Sequence, residues 1–220
     1  MPKEIDMLCR CGHPLIQHEQ TGHFVCKKCG QFTARKIVKT NQLIKLQKKA
    51  KKCNRCSLGK TRNKLVFGEG NLDARLMLIG EAPGQEENKS GIPFIGPAGK
   101  VLDRLLTGIG LTREEVYIAN VLCCRPPDNR NPEPKEVKAC KERLLEQIRI
   151  IDPSIVCTLG ASAINSFLKK DKAISDIHGK VIHKKRTVFI SYHPAYAVYD
   201  PNNYKILEED FEKLGRLYRG

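Results

Sequence analysis

Four short apolar runs punctuate the chain after its first third: Arg75–Ile79, Val116–Asn120, Ile155–Leu159 and Thr187–Ser191. Each is too short for a helix and is bounded by polar or turn-forming residues, so each predicts a buried strand. Stretches with apolar residues at helical spacing follow them and predict helices near 98–108, 134–150, 161–170 and 203–218. Gly160 opens the third of these, and Pro132 with Pro134 marks the start of the second. Strands alternating with helices predict a three-layer α/β/α domain around a four-stranded parallel sheet.

In such a sheet the carboxyl ends of neighbouring strands face one crevice, where ligands bind. Polar motifs fall at those ends. The first strand runs into Gly80-Glu-Ala-Pro-Gly84-Gln-Glu-Glu87, followed by Gly91-Ile-Pro-Phe94-Ile-Gly-Pro-Ala-Gly99. The second ends at Asn120, and the fourth at Ser191-Tyr-His193-Pro194. Taken singly, Asn120 reads as a turn cap and His193 as a loop histidine. Their shared placement instead predicts one pocket, lined by backbone, rimmed by carboxylates and floored by an aromatic ring.

The cysteines divide the chain further. Cys9, Cys11, Cys26 and Cys29 form two knuckles, each followed by Gly, in a segment too small to fold without a metal. This predicts a zinc-ribbon-like module over 1–34, although the first knuckle has one intervening residue where two are usual. Residues 35–52 hold ten Lys, Arg and Gln, with Leu43, Ile44 and Leu46 giving a partial helical stripe: a basic helix, lying on phosphates or simply solvated. Residues 53–220 form the main domain. Within it Cys53, Cys56, Cys124 and Cys140 make a split set, one local pair and two distant members, suited to stapling an N-terminal segment to a remote loop. Four thiolates hold zinc or an iron–sulfur cluster, and spacing does not choose between them. Cys157 lies in an apolar run and predicts a core residue; Cys123 adjoins a ligand.

With 39 Lys+Arg against 24 Asp+Glu and a formal charge of +15, the expected partner is nucleic acid. No apolar run approaches the roughly 20 residues that span a bilayer, and the N-terminus lacks a signal-peptide pattern. A cytoplasmic protein without a membrane partner is expected, its cysteines serving metal rather than disulfides.

Gly80-Glu-Ala-Pro-Gly84, Gly91–Gly99, Tyr117-Ile-Ala-Asn120 leading into Cys124-Arg-Pro-Pro, and His193-Pro-Ala together resemble the family 4 uracil-DNA glycosylases over roughly residues 41–215. The resemblance implies hydrolysis of the N-glycosidic bond of deoxyuridine, in single- or double-stranded DNA, to leave an abasic site for base excision repair. It implies a [4Fe–4S] cluster on Cys53, Cys56, Cys124 and Cys140. The uracil pocket would comprise Glu81, Ala82, Glu87, Phe94, Asn120 and His193, with Phe94 stacking on the base, Asn120 reading N3 and O4, and Glu87 beside C5 excluding thymine. His193 would donate to O2 as the base leaves. Ala82 stands where related glycosylases carry a water-orienting aspartate, so the catalytic set adds Glu81 or Glu87, or else rests on leaving-group stabilisation alone. Arg125 and Arg130 are the expected phosphate contacts, and Tyr196 the wedge. A monomer is expected, with replication or repair proteins as further partners of the N-terminal module. Two other readings stay open: a glycosylase for a wider range of deaminated bases, and a metal protein that binds nucleic acid without catalysis.

Overall fold

The structure, a computed structural model, describes residues 4–8, 14–17, 24–26, 28, 34–167, 173–183 and 185–220. The chain divides into two units, Met1–Lys45 and Leu46–Gly220. In the first, β1 (Glu4–Leu8), β2 (Pro14–Gln17) and β3 (Phe24–Cys26) form an antiparallel sheet in that order. Cys26 closes β3 and is buried; the other residues of the expected zinc set, Cys9, Cys11 and Cys29, lie outside the described residues. Helix α1 (Ala34–Lys51) crosses the division. Leu43, Leu46 and Ala50 are buried at helical spacing, while Lys45, Lys48, Lys49 and Lys51 are exposed.

The second unit continues with α2 (Leu58–Thr61), β4 (Glu69–Gly70), β5 (Leu76–Gly80), α3 (Gln85–Ser90), α4 (Pro97–Gly108), β6 (Tyr117–Asn120) and α5 (Pro134–Ile151). After these come β7 (Ile155–Leu159), α6 (Ala161–Phe167), α7 (Ile174–Ile177), β8 (Val181–His183), β9 (Thr187–Ser191), α8 (Ala195–Tyr199) and α9 (Tyr204–Arg219). The strands form one sheet in the order β4-β6-β5-β7-β9-β8. The expected four-stranded sheet is thus six-stranded. Its centre, β6-β5-β7-β9, is parallel, and an antiparallel strand borders each edge. The edge strands escape a search for apolar runs for a physical reason. β4 is two exposed residues beside Gly68, with Gly70 at positive φ, and β8 shows one partly covered residue between two exposed ones. Strands buried on both faces need continuous apolar sequence; edge strands do not.

Alternation along the central strands sends residues to two layers. Leu76 and Leu78 of β5, Ile118 of β6, Cys157 of β7 and Phe189 of β9 share a core with Leu102, Leu105 and Leu106 of α4 and Leu207, Phe211 and Leu214 of α9. Cys157 is the core residue its run predicted. Each such side chain contributes about 1.5–3 kcal/mol on burial. On the opposite face Val188 and Ile190 pack with Ile164 of α6. The chain leaves β5 toward β6 and leaves β7 toward β9, on the other side of β5. The carboxyl ends of the central strands therefore border a topological switch point. No helix among the described residues is long and apolar enough to cross a membrane.

Candidate active site

The register of the sheet creates the site. Gly80, the last residue of β5, pairs with Asn120, the last of β6. A side chain on Gly80 would collide with the Phe94 ring and with Asn120 Oδ1, so the absent Cβ makes room for both groups. They line a cleft of about 490 Å³ together with Glu81, Ala82, Glu87 and His193. The strand-end motifs singled out in the sequence therefore do converge.

Phe94 is held in an unfavourable backbone conformation, φ 53°, which costs a non-glycine residue about 1–3 kcal/mol. Three contacts hold it there. Arg113 donates to the Phe94 carbonyl at 2.8 Å and to the Pro93 carbonyl at 2.6 Å, while pairing with Asp103 at 2.9 Å. The Glu87 carboxylate accepts from the Ile95 and Gly96 amides at 2.9 and 2.8 Å. Gly99 in α4 leaves space that the Phe94 carbonyl fills. Glu87 is thus an anchor of the aromatic turn as well as part of the cleft wall. Arg113 escaped the sequence reading because it stands nineteen residues from Phe94 and nothing in its own neighbourhood marks it.

The His193 ring stacks on Phe94, centroids 5.4 Å apart. Its Nδ1 accepts from the Ala195 amide at 3.1 Å, which leaves the proton of a neutral ring on Nε2. Burial drives its pKa from 6.5 down to about 4, against a smaller opposing pull from Glu87. The imidazole is therefore neutral near pH 7. Beneath the loop, Asp210 of α9 accepts from Ser191 Oγ and from His178 Nδ1, both at 3.1 Å. This fixes the end of β9 two residues before His193. Asp210 is 1% exposed, and burial raises its pKa; as one acidic residue on an amphipathic helix it gave no sequence signal.

Asn120 is buried, and its Oδ1 has no hydrogen-bond partner among the described residues. An amide oxygen shut away from water without a donor costs about 1–3 kcal/mol. Asn120 lines the cleft, where a ligand N–H can supply the missing bond.

The expected DNA contacts are arranged differently from one another. Arg130 lines the cleft, but its guanidinium is paired to Glu136 at 2.7 and 3.0 Å and to Glu133 at 3.2 Å. Glu136 is fully buried and also accepts from the Glu133 amide, forming the capping box of α5. Arg125 donates to Asn129 at 2.8 Å and sits on a loop where Asp128 and Asn129 both have positive φ. The Tyr196 ring stacks on Tyr192, centroids 4.5 Å apart. Tyr199, by contrast, lines the cleft and is 87% exposed.

The split cysteines gather from three segments. Cys53 and Cys56 lie between α1 and α2, Cys124 in the loop after β6, and Cys140 in α5. Cys124 and Cys140 are buried; the other two are half-buried. Cys124 feels the charges of Cys56 and Cys140, and burial raises its pKa. Arg62 donates to Cys124 Sγ at 3.2 Å, and Arg143 to Cys140 Sγ at 3.5 Å. Burial pushes the Cys123 thiol up to about 12, which suits a protonated neighbour better than a ligand. Among the described residues, no three His, Cys, Asp or Glu side chains are placed to hold a single metal ion.

Residues 67–215 match the uracil DNA glycosylase superfamily. The chain is 47% identical over 174 residues to the type-4 uracil-DNA glycosylase of Saccharolobus solfataricus, covering 74% of this chain and 81% of that one. It is 44% identical to the type-4 enzyme of Archaeoglobus fulgidus, over 75% of this chain and 87% of the relative. For the type-4 enzyme of Thermotoga maritima the identity is 43%, over 76% and 90%. With the cleft, the ring and the asparagine already in place at the strand ends, these matches settle the family: the chain belongs to the uracil DNA glycosylase superfamily, among its type-4 uracil-DNA glycosylases.

Proposed function

We propose that this protein hydrolyses the N-glycosidic bond of deoxyuridine in DNA, releasing uracil, and that the base enters the cleft between Phe94 and Asn120. The buried Asn120 Oδ1, unpartnered among the described residues, carries this reading. Uracil N3–H supplies the absent donor, and the Asn120 amide donates in return to O4. Cytosine presents the opposite pattern and leaves both groups unpaired, which rejects it strongly. Reaching the cleft requires the nucleotide to leave the stack, at a cost of a few kcal/mol. Phe94, already held in place, supplies the stacking face.

As the glycosidic bond breaks, negative charge collects on uracil O2 while the sugar gains oxocarbenium character. The neutral His193 donates its Nε2 proton in a hydrogen bond to O2. A preorganised donor at such a position is worth about 3–4 kcal/mol. Glu87 Oε1 is committed to two backbone amides, so we assign the orienting of water to Glu81. Tyr199 replaces Tyr196 in our reading as the ring that enters the gap left by the base, because of these two tyrosines it is Tyr199 that lines the cleft and is exposed there.

Cys53, Cys56, Cys124 and Cys140 would hold the [4Fe–4S] cluster. Their donor chemistry fits: four thiols from three segments, with guanidinium groups directed at two of the sulfurs. The cluster would supply a structural staple. Cys124 and Cys140 flank the loop carrying Arg125 and Arg130, so the staple fixes the cleft wall at both ends. In the N-terminal unit, Cys9, Cys11, Cys26 and Cys29 would hold zinc, with replication or repair proteins as partners of that unit.

The test is excision from a uracil-containing oligonucleotide by wild type, His193→Ala and Asn120→Ala, read beside the iron and zinc content of the purified protein. Wild-type excision that both substitutions cut by at least about tenfold, with DNA affinity retained, supports the reading. An inactive wild type that binds DNA would support the non-catalytic alternative instead. Preferential release of hypoxanthine would shift the substrate class.

A further inference from the structure

Two arginines are directed at sulfur, and neither forms an ion pair with a carboxylate among the described residues. Arg143 stands one turn after Cys140 on α5 and is 5% exposed. Its Nη1 donates to Cys140 Sγ at 3.5 Å, and its charge also acts on Cys53 and Cys123. Arg62, half-buried, donates from Nη1 to Cys124 Sγ at 3.2 Å and to the Cys53 carbonyl at 3.5 Å. Its Nη2 donates to the Lys51 carbonyl at 2.5 Å. Two of the four proposed cluster ligands thus each receive a guanidinium hydrogen bond.

A guanidinium cannot shed its proton. A buried cation therefore requires a nearby anion, or the fold bears an uncompensated desolvation cost. Neutral thiols do not provide one, because their sulfurs are weak acceptors without charge. Thiolates do. Four thiolates around a [4Fe–4S]2+ core leave a dianion, and the two arginines supply two positive charges beside it. That dianion would compensate the guanidinium of Arg143, which has no carboxylate partner among the described residues and otherwise meets only the Cys123 sulfur.

We infer that Arg143 and Arg62 are the counter-charge of the iron–sulfur centre and set its reduction potential through their hydrogen bonds to Cys140 and Cys124. The inference rests on the cluster assignment proposed above. Positive charge and hydrogen bonds at the sulfurs stabilise the more negative, more reduced state, so both raise the potential and disfavour oxidative loss of iron.

The experiment uses the iron-loaded, full-length protein. Potentiometric titration gives the potential, and transfer of iron to a ferrous chelator in air gives the rate of loss, for wild type, Arg143→Gln, Arg143→Lys and Arg62→Gln. The two glutamine variants are expected to shift to more negative potential and to lose iron severalfold faster. Arg143→Lys, which keeps the charge, should stay near wild type in potential. Iron-loaded glutamine variants with wild-type potential and wild-type iron loss would overturn the inference and leave the cluster assignment standing. A wild type that contains no iron would overturn the assignment itself. If Arg143→Gln fails to fold, Arg62→Gln decides alone, since Arg62 is only half-buried.

Discussion

Arg113 donates to the carbonyl of Phe94 at 2.8 Å and so holds this aromatic residue of the cleft in a left-handed backbone conformation, φ 53°. The proposed stacking platform is therefore clamped by a residue outside the cleft lining. Arg113→Ala should raise KM for uracil-containing DNA and destabilise the fold by about 1–3 kcal/mol, since two buried carbonyls lose their donor. Steady-state kinetics with thermal melts check this. Unchanged KM and Tm would show that the turn holds without the clamp.

The acid limb of activity should lie near pH 4 rather than near 6.5 if His193 works as a neutral donor. The folded state binds fewer protons than the unfolded state between those values, so stability is complete above pH 6.5 and falls as pH drops toward 4. NMR titration of the His193 ring in the free protein measures the pKa directly. A midpoint near 6.5 would contradict the buried, neutral imidazole.

Glu81 and Glu87 should separate kinetically. Glu81→Gln is expected to lower kcat by about 100-fold with KM little changed, the magnitude of a lost general base. Glu87→Ala should instead raise KM and lower Tm, because the Ile95 and Gly96 amides lose their acceptor. Single-turnover excision distinguishes the two. Full activity in Glu81→Gln would mean that leaving-group stabilisation suffices without an oriented water.

Tyr199→Ala should slow excision from duplex DNA roughly tenfold, equivalent to about 1.4 kcal/mol of lost help in opening the stack. Excision from single strands should hardly change. Tyr196→Ala, which removes the ring stacked on Tyr192, should affect both substrates alike. A larger duplex-specific loss in Tyr196→Ala would return the wedge to the position first expected from the sequence.

Much of this was legible in the sequence because buried parallel strands need unbroken apolar runs, and such runs point to their own carboxyl ends. Gly80, Asn120 and His193 could be placed together on that ground alone. What stayed hidden depends on three-dimensional proximity. The clamp of Arg113 on Phe94 joins two loops, and Asp210 supports the His193 loop from a helix of ordinary amphipathic pattern. The edge strands lacked an apolar run to reveal them. Arg130 shows a further limit: a basic residue near the cluster cysteines suggested a phosphate contact, and no local pattern signalled that the buried Glu136 pairs with it.

The pairing of Gly80 with Asn120 across adjacent strands ties the proposed discrimination between bases to the parallel centre of the sheet. One residue supplies a vacancy and its partner the proposed reader, and neither backbone can drift without breaking hydrogen bonds of the sheet. Choice of base should accordingly persist up to the melting point and end there. On heating, this enzyme would stop working before it began excising the wrong letter.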